Sequence, residues 1–346
     1  MVYRDVIHVI LLGAAVLSTG CGDTFDRASE VKTVRVLGIR KTPAFARPGG
    51  TVDYAMLLHD GRPDRSEPVQ VTWLGGCHNP PGDQFAGCFR KLAEAVRATA
   101  SPGTPRIGFG ETFSYRIPDD IITSRDALPD PDRPPYGTSF MFFAACAGEL
   151  RVDENPAPDA LPVGCFDRAG RRLGADDWVL GYTVSFVYDT LENAIPGVTG
   201  LRLQGRTVPV DCIDEACIDA TENAAIDCDD GTDPRCIDAC AADGDEDACP
   251  ELSLEPIVTP GSAEVDPIAS ISKETETFEQ VWVDYFATRG FVGAELRLIS
   301  GADDGPRDDF TSRFYAPAAP GPLSMWAVVK DSRGGTSWVR VRLQVR

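Results

Sequence analysis

The chain has 346 residues, with 53 acidic and 33 basic side chains and a formal net charge of −20 at neutral pH. A chain this acidic repels the phosphate backbone, which argues against nucleic-acid binding. Apolar residues make up 43% of the chain, a globular composition, and its length suffices for two domains that each bury a core.

The first 21 residues have the pattern of a secretory signal peptide. Arg4 gives a basic start, Val6–Leu17 is a nearly unbroken apolar run, and small residues follow it up to Cys21. The apolar run covers 12 residues, fewer than the ~20 that a transmembrane helix needs. The sequence therefore predicts a cleaved signal peptide over residues 1–20 rather than a permanent membrane span.

The pair Gly20-Cys21 resembles the lipobox of bacterial lipoproteins, whose cysteine is diacylated and becomes the new N-terminus after cleavage. The resemblance implies lipidation of Cys21, with residues 21–30 as a short polar tether. By resemblance to the enterobacterial sorting rule, Gly22 implies the outer membrane, with the periplasmic or surface-facing side left open. The alternative is an ordinary cleaved signal with a cysteine nearby.

Short β-type runs dominate residues 31–190. Residues 51–58, for example, alternate apolar and more polar side chains, the period of a strand with one buried face. Phe89–Thr99 has helical spacing, whereas the Pro-rich stretches 101–105 and 128–135 predict surface loops. Regularly spaced strands with little helix predict an antiparallel β-sandwich.

A second strand-rich region is predicted at residues 201–346. Asn, Pro and Gly in residues 191–200 break the strand pattern and predict a linker. The run at 339–345 alternates Val or Leu with Arg or Gln without error, so one face is predicted to be core and the other solvated. Core packing is the default role of the tryptophans, and Trp338 is the best candidate for exposure because it shares a face with Arg340 and Arg342.

The ending LSMWAVVKDSRGGTSWVRVRLQV is similar to the last hairpin of PKD-type and other immunoglobulin-like extracellular modules. Together with the lipobox, TVRVLGIRKTPAFARPGGTVDY and ENAIPGVTGLRLQG, it resembles surface lipoproteins of myxobacteria and their relatives. The resemblance implies an all-β chain of two immunoglobulin-like antiparallel sandwich domains with disulfide-stapled loops, on a lipid-anchored protein. It implies no activity.

Cysteine usage supports the secretory location. Setting Cys21 aside leaves ten cysteines, an even number, in a chain predicted to fold where disulfides persist. Cys77 and Cys88 flank one Pro- and Gly-containing loop, and Cys146 and Cys165 flank another, so local pairing is favoured because each bridge would fix its loop. A bridge between the sheets, from Cys77 to Cys146, is the alternative.

The segment 211–250 holds 14 acidic residues against the single cation Arg235. It is poor in large apolar residues, so we expect a solvated insertion that contributes little to the sandwich core. Disulfides would hold it, with about fifteen possible pairings left open for six cysteines. These cysteines are Cys212, Cys217, Cys228, Cys236, Cys240 and Cys249.

Calcium is a possible cofactor of the same segment, since carboxylates beside a Gly turn are the hard oxygen ligands that Ca²⁺ prefers. The candidate ligands are Asp227, Asp229, Asp233, Asp243, Asp245 and Asp247. Neither aspartate group has the spacing of an EF-hand loop, and a solvated acidic loop without any cofactor is the preferred interpretation.

Few residues suit catalysis. His59 and His78 are the only histidines after the predicted signal, and no C-x2-C pair occurs, which disfavours zinc sites and Ser or Cys triads. We therefore predict a non-catalytic binding or structural module of the cell envelope, with an envelope protein or glycan as partner. The alternatives are a calcium-dependent adhesin that uses residues 211–250 and a hydrolase based on two facing carboxylates.

The anchor prediction is tested by replacing Cys21. The full-length chain should partition into the detergent phase of a cell extract, because several acyl chains at about 0.8 kcal/mol per buried CH₂ make attachment effectively permanent. Cys21→Ala should move the protein to the aqueous phase or stall its processing, whereas Cys228→Ala should not. Wild-type protein in the aqueous phase would refute lipidation.

Overall fold

The structure, a computed structural model of the chain, describes residues 27–89, 107–126, 133–153, 163–213, 226–229, 231–241, 249–273 and 275–346. Two 3-10 helices, Pro81–Asp83 and Phe85–Cys88, and the helix α1 (Pro267–Lys273) accompany a strand-rich architecture. The strands up to residue 188 are β1 (Val34–Thr42), β2 (Phe45–Ala46), β3 (Thr51–Asp60), β4 (Gln70–His78), β5 (Ile107–Phe109), β6 (Thr112–Arg116), β7 (Tyr136–Cys146), β8 (Glu149–Val152), β9 (Val163–Phe166) and β10 (Trp178–Tyr188).

Further strands follow from residue 198. They are β11 (Val198–Leu203), β12 (Arg206–Val208), β13 (Cys212–Ile213), β14 (Cys236–Ile237), β15 (Glu251–Val258), β16 (Val281–Ala287), β17 (Phe291–Val292), β18 (Leu296–Gly301), β19 (Gly305–Pro306), β20 (Ser312–Tyr315), β21 (Gly321–Asp331) and β22 (Thr336–Val345).

The first group of strands forms a sandwich of two sheets, in the orders β1-β3-β6 and β2-β10-β7-β4-β5. β2 pairs with β10 in parallel, whereas β1 pairs with β3 antiparallel, so the chain changes sheets between β1 and β2. With β1, β3 and β6 as strands A, B and E, and β4, β7 and β10 as C, F and G, this is immunoglobulin strand order. The all-β, immunoglobulin-like prediction is confirmed.

Side chains from both sheets alternate into one core, as the period of two predicts. Val52, Tyr54 and Met56 of β3 belong to the same buried cluster as Trp73 of β4 and Met141 of β7. The buried indole of Trp73 donates its Nε1 hydrogen to the Gly110 carbonyl over 2.8 Å, which satisfies its one polar atom.

The strands from residue 198 form a second sandwich of the same kind, with sheets β12-β11-β15-β20-β17 and β13-β22-β21-β16-β18-β19. β11, β15 and β20 occupy the places of A, B and E, and β16, β21 and β22 those of C, F and G. Val339, Val341, Leu343 and Val345 are buried in its core, as their alternation predicts.

Trp338, the best candidate for exposure, is fully buried, so the default of core packing holds for it. Its side chain joins Trp326 of β21 in an apolar cluster with Leu37 of β1 and Leu57 of β3. The first sandwich therefore covers the outer face of β21 and β22. Alternation along one strand shows that two faces differ, but not that a second sandwich covers one of them.

The expectation that residues 211–250 contribute little to the core is also wrong for their described part. β13 pairs antiparallel with β22 and β14 pairs parallel with it, so both continue the sheet beside a long strand. Ile237 and Cys240 are buried, and Ile237 belongs to the core cluster of the second sandwich. Disulfides join Cys228 to Cys236 and Cys240 to Cys249.

A buried charged group lies at the junction of the two sandwiches. Arg333, in the β21–β22 turn, donates from Nε to Glu279 Oε2 over 2.8 Å and also hydrogen-bonds Glu264. Its guanidinium lies 5.7 Å from the ring centre of Phe45, a β2 residue of the first sandwich. Burial raises the pKa of Glu279 to about 7 despite the arginine.

Lys41 of β1 extends the same junction. Its Nζ donates to the Val184 carbonyl over 2.5 Å, and burial lowers its pKa to about 8, against the attraction of Asp331. Asp331 accepts a hydrogen bond of 3.1 Å from the side-chain amide of Asn193, which ties residues 191–197 to the second sandwich. The division into separate domains at residues 31–190 and 201–346 stays a prediction.

The raised pKa of Glu279 predicts a pH-dependent stability. The folded chain holds this proton from about pH 7 downward, but the unfolded chain only below its ordinary value of 4.5. Acidification from pH 7.5 to 5 should therefore raise the free energy of unfolding of wild type relative to Glu279→Gln, by up to about 3 kcal/mol. Melting temperatures measured across this range give the difference.

Glu276→Gln, at an exposed position three residues away, serves as the control and should show no such trend. If the difference between wild type and Glu279→Gln shrinks on acidification, the Glu279 carboxylate is ionised and held by Arg333.

Candidate functional site

The outer face of the sheet β10-β7-β4-β5 exposes large apolar side chains. Phe109 and Ile107 of β5 are 76% and 54% exposed, and Leu180 and Tyr182 of β10 are exposed as well. A sheet with one solvated face normally carries polar residues there. Contiguous apolar exposure on a folded protein marks a surface that contacts something else.

These side chains border a groove of about 230 Å³ across the sheet, which we call the apolar groove. Leu74, Phe142 and Ala144 come from the central strands, whereas Leu150, Val152 and Val163 come from the β8–β9 hairpin. The remaining lining residues include Ile107, Phe109 and Leu180, already described, together with Thr72 and Arg151. Arg151 pairs with Glu149 over 2.6 Å, so its charge is partly compensated.

A row of contacting aromatic rings continues the apolar groove. The ring of Phe85, from the second 3-10 helix, stacks on Tyr182 with 4.5 Å between ring centres and 22° between planes. Tyr182 in turn lies 5.9 Å from Phe142, whose ring is 6.1 Å from Phe89. The loop after β4 therefore adds aromatic area to the same sheet face.

Two disulfides fix the loops that border this face. Cys77 is joined to Cys88 with an S–S distance of 1.99 Å, and Cys146 is joined to Cys165 with 2.02 Å. These are the local pairs that the sequence favours, and the alternative bridge from Cys77 to Cys146 does not form. One bridge holds the loop with Phe85, and the other clamps the β8–β9 hairpin against the end of β7.

Asp83 provides a polar anchor for the Phe85 loop. Its carboxylate accepts two hydrogen bonds from Arg125, of 2.8 and 2.6 Å, and one each from Tyr136 and Thr138. Burial would raise the pKa of Asp83, but the hydrogen bonds from Arg125, Tyr136 and Thr138 hold it below its usual value. The loop is thus fixed before any ligand binds.

The histidines considered for catalysis lie apart, in different sheets. His59, at the junction of the sandwiches, packs on Trp326 with 4.8 Å between ring centres. His78 lies 3.1 Å from the Tyr115 hydroxyl through Nε2. Neither borders the apolar groove.

The aspartates considered for calcium are only partly described. Asp233 is engaged by Arg235 through three contacts of 2.5 to 3.0 Å, and Asp227 Oδ1 accepts the backbone N–H of Asp229. Within the described ranges, no three metal-ligating side chains come together. The remaining calcium candidates lie outside the described residues: Asp243, Asp245 and Asp247. The same is true of two cysteines, Cys21 and Cys217.

Cys212 is described and is disulfide-bonded. Among the described residues, no helix combines the length and the apolar character needed to cross a bilayer.

Sequence comparison identifies no relatives, since no protein-family model and no curated protein matches the chain. Solved structures give distant likenesses. Alpha-2-macroglobulin of Escherichia coli, activated by porcine elastase, is 11% identical with a TM-score of 0.21, over 92% of this chain and 22% of the other. A Salmonella alpha-2-macroglobulin mutant is 8% identical with a TM-score of 0.21, over 93% and 17%.

Dimeric latent PorU from Porphyromonas gingivalis is 9% identical with a TM-score of 0.18, over 92% of this chain and 24% of the other. The chain thus spans about a fifth of the length of these proteins. The fold assignment rests on the strand order described above.

The Cys77–Cys88 disulfide should make a measurable contribution to the free energy of unfolding. Replacing both Cys77 and Cys88 by Ala should lower the free energy of unfolding by about 3 kcal/mol, because the bridge restricts the unfolded chain. Urea unfolding followed by tryptophan fluorescence measures this. A loss well below 1 kcal/mol would contradict it.

Proposed function

We propose that this chain is a lipid-anchored, non-catalytic binding module of the outer membrane, and that the apolar groove holds an extended apolar segment of an envelope protein. The observation that carries the proposal is the exposure of Ile107, Phe109, Leu180 and Tyr182 on one sheet face. The signal pattern and Cys21 support the location, and the resemblance to myxobacterial surface lipoproteins agrees with it.

The chemistry of the apolar groove favours a protein segment over a glycan. A glycan needs several polar groups to meet its hydroxyls, whereas the lining offers Thr72 and the ion-paired Arg151. Apolar side chains gain about 25 cal/mol for each Å² removed from water, and the pre-fixed loops reduce the entropy cost of binding. An apolar partner therefore suits this surface.

The sheet edge favours an extended partner. β5 is the last strand in its sheet, and among the described strands only β4 pairs with it. An added strand beside β5 would gain backbone hydrogen bonds and place every second side chain over the apolar groove. The partner segment is thus expected to alternate apolar and polar residues.

The proposal is tested by selecting displayed random peptides on the purified chain. We expect enrichment of segments with alternating apolar residues, and at least tenfold weaker binding, about 1.4 kcal/mol, to Leu180→Asp. Leu296→Asp is the matched control, because Leu296 is also an exposed leucine on a strand but lies on the second sandwich.

Thermal unfolding of each variant establishes that it is folded before binding is compared. Equal binding to wild type and Leu180→Asp, or enrichment without an alternating apolar pattern, would overturn the proposal. Binding of acyl chains or oligosaccharides in place of peptides at the same groove would do so as well.

A further inference from the structure

Residues 27–31, at the end of the predicted tether, lie on the second sandwich, and we call them the docked segment. The Ala287 backbone N–H donates to the Ser29 carbonyl over 2.8 Å, and the Val31 N–H donates to the Ala287 carbonyl over 2.9 Å. These bonds make a parallel bridge between Glu30 and Ala287, the last residue of β16. The last part of the predicted tether is therefore bound to the protein.

Side chains hold the docked segment as well. Ser29 is buried, and both its backbone N–H and its hydroxyl donate to Glu295 Oε1 over 2.9 Å. The Arg27 guanidinium lies 3.8 Å from the centre of the Phe291 ring, a cation–π distance. Val31 is buried in the apolar cluster between the two sandwiches. The second sandwich therefore fixes the chain from Arg27 onward.

The docked segment marks an end that the two sandwiches share, because β1 runs along β21 in the same direction. Val31 is hydrogen-bonded to Ala287, which pairs with Met325 near the start of β21. At the other end of β1, Lys41 Nζ would lie 2.6 Å from a Cβ at Gly334, in the turn after β21. The sandwiches therefore lie side by side, with one common end at Val31 and the other at this turn.

Turns of both sandwiches surround the docked segment. In the first sandwich, the β3–β4 loop begins at Gly61, whose N–H donates to the Thr33 carbonyl over 3.0 Å. In the second, Thr288 of the β16–β17 turn donates its N–H to the Ser324 carbonyl over 3.0 Å. Residues of this loop, of this turn and of the start of β21 line one recess of about 470 Å³ together with Val31. We call the docked segment and these turns the anchor end.

Docking shortens the tether to the predicted lipid. Arg27 follows Cys21 by six residues, and an extended chain of that length spans at most about 20 Å. If the chain were free as far as Val34, where β1 begins, the same limit would be about 45 Å. A lipid on Cys21 would therefore hold the anchor end within about 20 Å of the bilayer surface.

We propose that the anchor end is the surface of this protein that faces the membrane, with a lipid bilayer surface as its partner. The inference rests on the lipid anchor of the proposed function. The opposite end cannot face the bilayer instead, because the nine residues of β1 separate the two ends by about 30 Å, more than the shortened tether spans. Both sandwiches thus stand side by side on the membrane.

This orientation leaves the apolar groove open to a partner. The β1-β3-β6 sheet supplies Leu37 and Leu57 to the contact between the sandwiches, and the apolar groove lies on the other sheet. Side chains stand perpendicular to their strands, whereas the anchor end lies at the strand ends. The apolar groove therefore faces neither the second sandwich nor the bilayer, and an envelope protein can reach it from the side.

The orientation is tested on the full lipidated chain in phosphatidylcholine vesicles that contain a lipid with a fluorescence quencher on its headgroup. A fluorophore is attached to Ser66→Cys or Ala319→Cys, both exposed at the anchor end, or to Asp304→Cys, exposed in the β18–β19 turn. That turn lies at the start of β16, since Ser300 of β18 pairs with Val281. The first two labels should lose most of their fluorescence, whereas the third should keep it. A chain without an added cysteine gives the background.

Glu295→Ala tests whether docking sets the orientation. It removes the acceptor of both Ser29 hydrogen bonds, so in the chain from residue 22 onward the Ser29 amide should exchange with deuterium about tenfold faster or more. In the lipidated chain, quenching at Ala319→Cys should fall because the tether lengthens. Glu255→Ala removes a carboxylate paired with Arg202 at 2.9 Å elsewhere on the second sandwich, and it should change neither measurement.

Equal quenching at the three labelled positions in the vesicle-bound chain would overturn the orientation and leave the anchor intact. Unchanged exchange and quenching in Glu295→Ala would overturn the role of the docked segment. A full-length chain that does not bind vesicles lacks the anchor, and the inference then fails with it. Leu180→Asp, in the apolar groove, should not alter the quenching pattern, so failure of the groove to bind a peptide would leave the orientation standing.

Discussion

The burial of Trp326 and Trp338 between the two sandwiches is the contact on which the rest of the architecture depends. These indoles lie on the outer face of β21 and β22 and meet Leu37 and Leu57 from the first sandwich. Large aromatic side chains contribute much apolar area at such contacts, and this contact orients one sandwich on the other. Without it, the charges around Arg333 would be solvated.

Polar contacts give this interface its specificity. An apolar contact is tolerant of small rotations, whereas charged groups that face the other sandwich favour one arrangement: Arg333 lies 5.7 Å from the Phe45 ring centre, and Lys41 is attracted by Asp331. Each buried charge costs desolvation free energy that only its partner offsets, so a misaligned interface is strongly disfavoured. The raised pKa of Glu279 shows that this desolvation is felt in the native state.

The first sandwich uses its two outer faces differently. The β1-β3-β6 face contributes Leu37 and Leu57 to the internal contact, whereas the opposite face carries the apolar groove. Short disulfide loops support the second face, because the β8–β9 hairpin and the Phe85 loop have little core of their own. The insertion in the second sandwich is attached by the pairing of β13 and β14 with β22 and by ion pairs such as Arg342 with Asp211 at 2.9 Å, whereas the bridges Cys228–Cys236 and Cys240–Cys249 lie within the insertion.

The sequence by itself determined the strands and the local bridges, since alternation and short cysteine spacing are local properties of the chain. The apolar groove also has a signal in the sequence. The segment FMFFAAC of β7 is apolar on both faces, which indicates that other residues cover both faces of this strand. Only the tertiary structure decided that Trp338 is buried and that Ile237 enters the core. Each of these depends on residues far apart in sequence, whose approach is set by packing between sheets and not by local periodicity.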